Sequence, residues 1–252
     1  MGKKQQSGTR YGYLDYLRGM TLISMILYHT AWDLVYIAGW DWAWFRSEAA
    51  YIWQQSICWA FIALSGFCWP MGRHRLRRGV IVFGAGLLVT AITLIATPQQ
   101  RVVFGVLTLL GSCMLVMIPL YPVLRRIPSK VGVILSFLLF VVMKRINSGY
   151  LGIGNWVLAE LPKEWYEKGN GMTFLGFTDR QFFSTDYFSF FPWFFLFVTG
   201  YFIYRYAEQR EFLRQPFLQR SRGKMFSFMG RHSLIIYLLH QPVIYLILQL
   251  FY

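Results

Sequence analysis

Residues 14–39 read LDYLRGMTLISMILYHTAWDLVYIAG, and this stretch decides how the rest of the chain is read. It is long enough for a helix to cross the hydrocarbon layer of a membrane, which takes about 20 residues. Yet it carries Asp15, Arg18, His29 and Asp33. Ionisable groups inside a span are costly, and they usually face a cavity or a partner. The step from Arg18 to His29 is close to three full helical turns. Both side chains therefore lie on one face, roughly 16 Å apart along the axis. Asp15 and Arg18 are neighbours at i,i+3. His29 and Asp33 are neighbours at i,i+4, a spacing that lets Asp33 hold the imidazole in one tautomer. A cleaved signal peptide is excluded by the two early charges, the length and the lack of an A-x-A site. Gln6 stands where N-myristoylation requires Ser or Thr.

Six further apolar segments follow, at 49–70, 79–97, 102–124, 129–145, 188–207 and 231–252. Of the 252 residues 56% are apolar and only 14% charged, against about a quarter in soluble domains. A soluble globule could not keep so much apolar surface from water, and disorder needs low hydrophobicity. Backbone groups must be satisfied within lipid, so the segments are helices rather than strands. The expectation is an all-α, polytopic transmembrane bundle of about seven spans, built as one domain over residues 1–252. Cys58, Cys68 and Cys113 lie inside apolar runs without metal spacing, and read as small core residues.

The net charge of +14 would suggest nucleic acid in a soluble protein. Here it sorts by loop. With the N-terminus inside, 18 of the 25 Lys and Arg fall on the inner side and 7 on the outer. The inner set holds Lys3, Lys4, Arg10 and Arg18, the Arg73–Arg78 cluster, Arg125, Arg126 and Lys130, and the basic run from Arg205 to Arg231. This split fits the positive-inside rule, with the C-terminus outside, and sets nucleic acid aside. Trp40, Trp42 and Trp44 cluster past the first span, as an interfacial belt would. Residues 146–187 form an unusually long connection that mixes Gly, aromatics and charge. Its aromatic content argues for an ordered cap on the extracytoplasmic face. No internal repeat of the kind common in transporters is visible.

The last segment contains Tyr237-Leu238-Leu239-His240-Gln241-Pro242. His240 lies roughly 14 Å along the helix from Arg231, near mid-membrane. It reads equally well as a second site residue and as an interhelical tether. His74 and His232 stand at the basic inner surface and read as solvated. Ser65-Gly66 and Thr199-Gly200 read as close-packing small residues. Each polar residue of the first span also has a plain structural role: Arg18 snorkelling to headgroups, Asp15 meeting a helix dipole, His29 and Asp33 forming a hydrogen-bonded pair. All four on one face favour function. A stripe from Arg18 at the inner edge to His29 in the outer half suits a long anionic donor anchored inside, reaching a base near the outside.

These residues resemble a known family. Leu14-Asp15-Tyr16-Leu17-Arg18-Gly19 followed by His29 is similar to the R-x10-H opening of the integral-membrane acyltransferase superfamily. Phe61-Ile62-Ala63-Leu64-Ser65-Gly66, Phe104-Gly105-Val106-Leu107, Phe191-Pro192-Trp193 with Thr199-Gly200-Tyr201, and Gly230-Arg231-His232-Ser233-Leu234 with the His240-Gln241-Pro242 element resemble its bacterial branch. That branch is named after heparan-alpha-glucosaminide N-acetyltransferase. The ordered set covers nearly the whole chain. One departure is Thr108, where many members of that family carry His or Asn.

The resemblance implies transfer of an acyl group, usually acetyl, from cytoplasmic acyl-CoA to a hydroxyl or amine of an extracytoplasmic, sugar-containing acceptor. It implies His29 as general base or acyl relay, with Asp33 beside it. Arg18, Arg73, Arg75, His240 and Gln241 are assigned to the donor site, because CoA is anionic and the inner loops are basic. Acetyl-CoA is then a substrate, and no metal is implied. Expected partners are acyl-CoA, the acceptor, membrane lipid and a second copy in a homodimer, and the expected location is a bacterial cell membrane. The rival reading is a transporter or flippase that uses His29 and Asp33 as a proton relay. A third is a membrane scaffold in which the polar stripe only holds helices together.

Overall fold

The computed structural model describes residues 11–220 and 223–251. Gln6, and the charges at Lys3, Lys4, Arg10 and Arg222, lie outside the described residues. The chain runs as α1 (Gly12–Tyr36), α2 (Glu48–Cys68), α3 (Arg75–Ala96), α4 (Val106–Leu124) and α5 (Ser129–Met143). A hairpin follows, β1 (Tyr150–Ile153) and β2 (Trp156–Glu160). Then come α6 (Asn170–Leu175), α7 (Phe190–Gln209), α8 (Pro216–Gln219), α9 (Lys224–Arg231) and α10 (Ser233–Phe251). The protein is nearly all-α.

Each of the seven apolar segments overlies one long helix. Among the described residues four helices are long and apolar enough to cross a membrane: α3, α4, Ser129–Ser148 and α10. The helices α1, α2 and α7 have the length, at 25, 21 and 20 residues. Their ionisable groups, Gln, Tyr and Trp lower their hydropathy. The fourth helix begins later than its segment. Gly105 caps it, and Phe104 takes a left-handed φ of 57°, so Val102 and Val103 fall in a loop.

The chain folds as two compact units, one of Met1–Phe61 with Ala207–Tyr252, the other of Ile62–Tyr206. In the first, α1 crosses α9 with almost no side chain between them. A Cβ on Gly19 would fall on the Phe226 carbonyl, and one on Gly230 on the Asp15 carbonyl. Small residues let helix backbones approach in this way where lipid removes the hydrophobic drive. Tyr16 meets Phe226 edge to face at 5.4 Å, and Tyr13 meets Phe217 of α8 at 5.8 Å. Farther along α1, Leu22, Met25 and Ile57 form a buried cluster with Trp53, Met229, Ile236 and Tyr237 packed on it. Trp53 Nε1 donates to Ser24 Oγ at 2.9 Å, which fixes α2 against α1.

In the second unit the same device recurs twice. Gly66 and Gly200 face the partner backbone across α2 and α7, and Gly86 and Gly111 do so across α3 and α4. The reading of Ser65-Gly66 and Thr199-Gly200 as close-packing residues holds. Ser136 and Thr199 share a buried hydrogen bond of 2.9 Å between α5 and α7. Arg205 Nη1 donates to the Leu124 and Ile127 carbonyls at 3.0 and 2.8 Å, closing the C-terminus of α4.

Residues 146–187 are ordered, as their aromatic content predicts. The antiparallel hairpin turns at Gly154-Asn155, with Gly154 at φ 60°. Tyr166 Oη donates to the Ile146 carbonyl, and Tyr187 Oη to the Thr173 carbonyl, both at 2.5 Å. Burial pushes the Tyr187 phenol up to about 12, which keeps it a neutral donor at ordinary pH. The end of the loop is stitched to the α3–α4 connection. Thr185 N–H donates to the Arg101 carbonyl, Val103 N–H to Ser184 Oγ, and Phe188 N–H to the Phe104 carbonyl. Val106 N–H reaches Asp186 Oδ2 at 3.4 Å, placing a carboxylate at the N-terminus of α4.

Candidate functional site

The polar stripe of α1 lies in the first unit, with α10 as its neighbour. Its inner end is Arg18, whose Nη1 stands 3.3 Å from Asp15 Oδ1. The Arg18 side chain keeps 27% of its surface exposed, against 11% for Asp15. Three turns on, the half-buried His29 ring lies 5.1 Å from the His240 ring, centroid to centroid. Tyr28 stands edge-on to His29 at 6.1 Å. One turn further, Asp33 is fully buried. Gln241 Nε2 donates to both of its carboxylate oxygens, at 3.0 and 2.8 Å.

The site is thus two rungs between two helices: His29 against His240, and Asp33 against Gln241. Helical spacing makes this arrangement. His29 and Asp33 share a face of α1 at i,i+4, and His240 and Gln241 are consecutive on α10 just before Pro242. The expectation that Asp33 holds the His29 imidazole needs correction. The Asp33 carboxylate is taken up by the Gln241 amide, the better-placed donor. His240 is 9% exposed, and its Nδ1 is bonded to the Tyr237 carbonyl. This carbonyl, one turn back on α10, was quoted in the sequence only as part of a motif.

The remaining predicted site residues, Arg73 and Arg75, lie in the second unit. Arg73 is exposed. The Arg75 guanidinium stacks between Trp69, at 4.4 Å, and Tyr121, at 4.6 Å, and its Nη2 reaches the Pro70 carbonyl at 3.4 Å. Such cation–π stacking leaves Arg75 charged but held in place. Thr108 is buried at 3% exposure, its hydroxyl without a hydrogen-bond partner among the described residues. His74 and His232 are exposed, as read. Cys68 and Cys113 are buried and Cys58 is half-buried. Among the described residues no group of three or more His, Cys, Asp or Glu is placed to hold a metal ion.

A carboxylate–amide pair beside two imidazoles can take up and hand on a proton. It can also position a nucleophile. That chemistry agrees with the comparison to known families. The family model described as heparan-alpha-glucosaminide N-acetyltransferase, catalytic, matches residues 10–242. The chain belongs to this family. The match takes in α1 with His29 and Asp33, and ends on the His240-Gln241-Pro242 element, so both sides of the site fall within it. Membership points to a membrane acetyltransferase. No curated protein and no solved structure matches the chain.

Proposed function

We propose that the protein is a multi-pass membrane acyltransferase that moves an acetyl group from cytoplasmic acetyl-CoA to a hydroxyl or amine of a sugar-containing acceptor on the far side. The observation that carries this reading is the paired site of α1 and α10, His29 with His240 and Asp33 with Gln241, in a chain of this family. His29 takes the proton of the acceptor as it attacks the thioester carbon. The C–S bond breaks, and the departing CoA thiolate receives that proton. In the alternative route His29 accepts the acetyl group first and passes it on. Arg18 meets the anionic donor at the inner end of the stripe. All seven long helices cross the membrane with the N-terminus inside and the C-terminus outside. The chain works as one domain in a bacterial plasma membrane, and residues 146–187 cap its outer face.

The test is direct. Purified protein is expected to bind acetyl-CoA and to transfer or hydrolyse its acetyl group. Proton or solute movement with no thioester turnover would favour the transporter reading. Arg18→Ala is expected to weaken acetyl-CoA binding roughly tenfold, as loss of a charge-assisted bond does. Calorimetry on the purified variant checks this, and an unchanged affinity removes Arg18 from the donor site. A reporter fused at Glu160, on the exposed strand β2, is expected to report a non-cytoplasmic location. A cytoplasmic signal there reverses the topology.

A further inference from the structure

Two buried polar atoms on α10 have no hydrogen-bond partner among the described residues. His240 Nδ1 is bonded to the Tyr237 carbonyl, and a carbonyl oxygen only accepts. Nδ1 therefore carries the ring proton, and Nε2 presents a bare lone pair. Nε2 is buried and has no partner among the described residues. The next residue repeats the pattern. The Gln241 NH2 group faces both oxygens of Asp33, which fixes the amide flip. Gln241 Oε1 is then turned from the carboxylate, buried and likewise without a partner. Buried polar atoms are nearly always hydrogen-bonded, and the exceptions concentrate where a functional group must be met. Consecutive residues offer two acceptors and no donor, beside the His29 ring at 5.1 Å.

A thioester offers a carbonyl oxygen and a sulfur, neither of which can donate. The acyl acceptor differs, because its nucleophilic group is an O–H or N–H. We propose that His240 Nε2 and Gln241 Oε1 receive the nucleophilic head of the acyl acceptor and hold it beside His29, with Asp33 acting as a positioning residue for the Gln241 amide. This moves His240 and Gln241 from the donor side, where the sequence reading put them, to the acceptor side. It rests on the acyl-transfer reading above. The bonds made and broken are those of the transfer proposed above: a C–O or C–N bond forms, the C–S bond breaks, and the proton of the acceptor passes through imidazole to the CoA thiolate.

The experiment uses full-length protein in proteoliposomes, acetyl-CoA as donor and glucosamine as acceptor probe. His240→Leu is expected to raise the KM for glucosamine roughly tenfold, the loss of one hydrogen bond, with the KM for acetyl-CoA unmoved. Gln241→Leu is expected to do the same. His240→Leu is the primary variant because it leaves Asp33 paired. A rise in the acetyl-CoA KM alone would return both residues to the donor side and overturn the proposal, as would no change in either KM. Nitrogen-15 NMR of the histidines gives a readout independent of turnover. The resonance lost in His240→Leu is expected to be that of an Nδ1–H tautomer with bare Nε2, and a proton found on Nε2 overturns the proposal. Wild-type protein that neither transfers nor hydrolyses acetyl groups removes the acyl-transfer reading itself. Active protein with unmoved glucosamine KM removes this inference alone.

Discussion

His29→Ala is expected to fold, to insert and to bind acetyl-CoA, yet to transfer acetyl groups at least ~100-fold more slowly than wild type. The ring is half-buried and meets its surroundings through the Tyr28 and His240 rings, so truncation removes little packing. On the acyl-transfer reading proposed above, what it removes is the general base, a loss that typically costs ~10²–10⁴ in rate. Asp33→Asn should impair less, because it keeps an acceptor oxygen for Gln241 Nε2. Steady-state transfer measured beside acetyl-CoA affinity separates the two effects. Near-normal transfer by His29→Ala, with transfer abolished in His240→Ala, would move the base to α10. If neither variant matters in a folded protein, the proton-relay transporter becomes the stronger account.

Gly230→Val is expected to abolish the folded state or to lower stability by more than the ~1–3 kcal/mol of ordinary overpacking. The reason is what stands opposite. A Cβ at Gly230 would fall on the backbone carbonyl of Asp15, and backbone cannot rotate away as a side chain can. The α1–α9 crossing would have to open, taking the polar stripe of α1 with it. Gly84→Ala is the matched control, since a Cβ on this exposed glycine of α3 meets nothing within 4 Å. It should leave stability equal or raise it by about 0.5–1 kcal/mol. Thermal unfolding of both variants in one detergent tests the pair. Wild-type stability in Gly230→Val would show that α1 and α9 do not approach this closely.

The helices were legible because each apolar run ends at a physical stop. The segment read as 14–39 became Gly12–Tyr36, and the one read as 188–207 became Phe190–Gln209. The segment at 102–124 was read too long because Val102 and Val103 are apolar, while the break lies in the backbone of Phe104 and Gly105. The hairpin in residues 146–187 was missed although its signal was present, a Gly154-Asn155 pair between two apolar runs. The amphipathic α9 was merged into a basic inner loop, since its apolar face, Phe226 with Met229, is short. In the site, the i,i+4 step from His29 to Asp33 could be read from one helix. The Gln241 partner of Asp33 could not, because periodicity tells which residues share a face and nothing about which helix that face will meet.

Asp33 and Gln241 stand 208 residues apart in the chain and touch in the fold. The first unit is made from two stretches far apart in the chain, so its order of manufacture differs from its order in space. A ribosome releases α1 well before α10. Through most of synthesis α1 has neither its Gly19–Phe226 crossing nor its Gln241 amide, and Asp33 has no cross-helix donor. Until α10 arrives the nascent helix carries Asp33 and His29 without these cross-helix neighbours. The paired site cannot form before α10 arrives, so a chain cut short ahead of His240 is expected to leave Asp33 without its Gln241 donor.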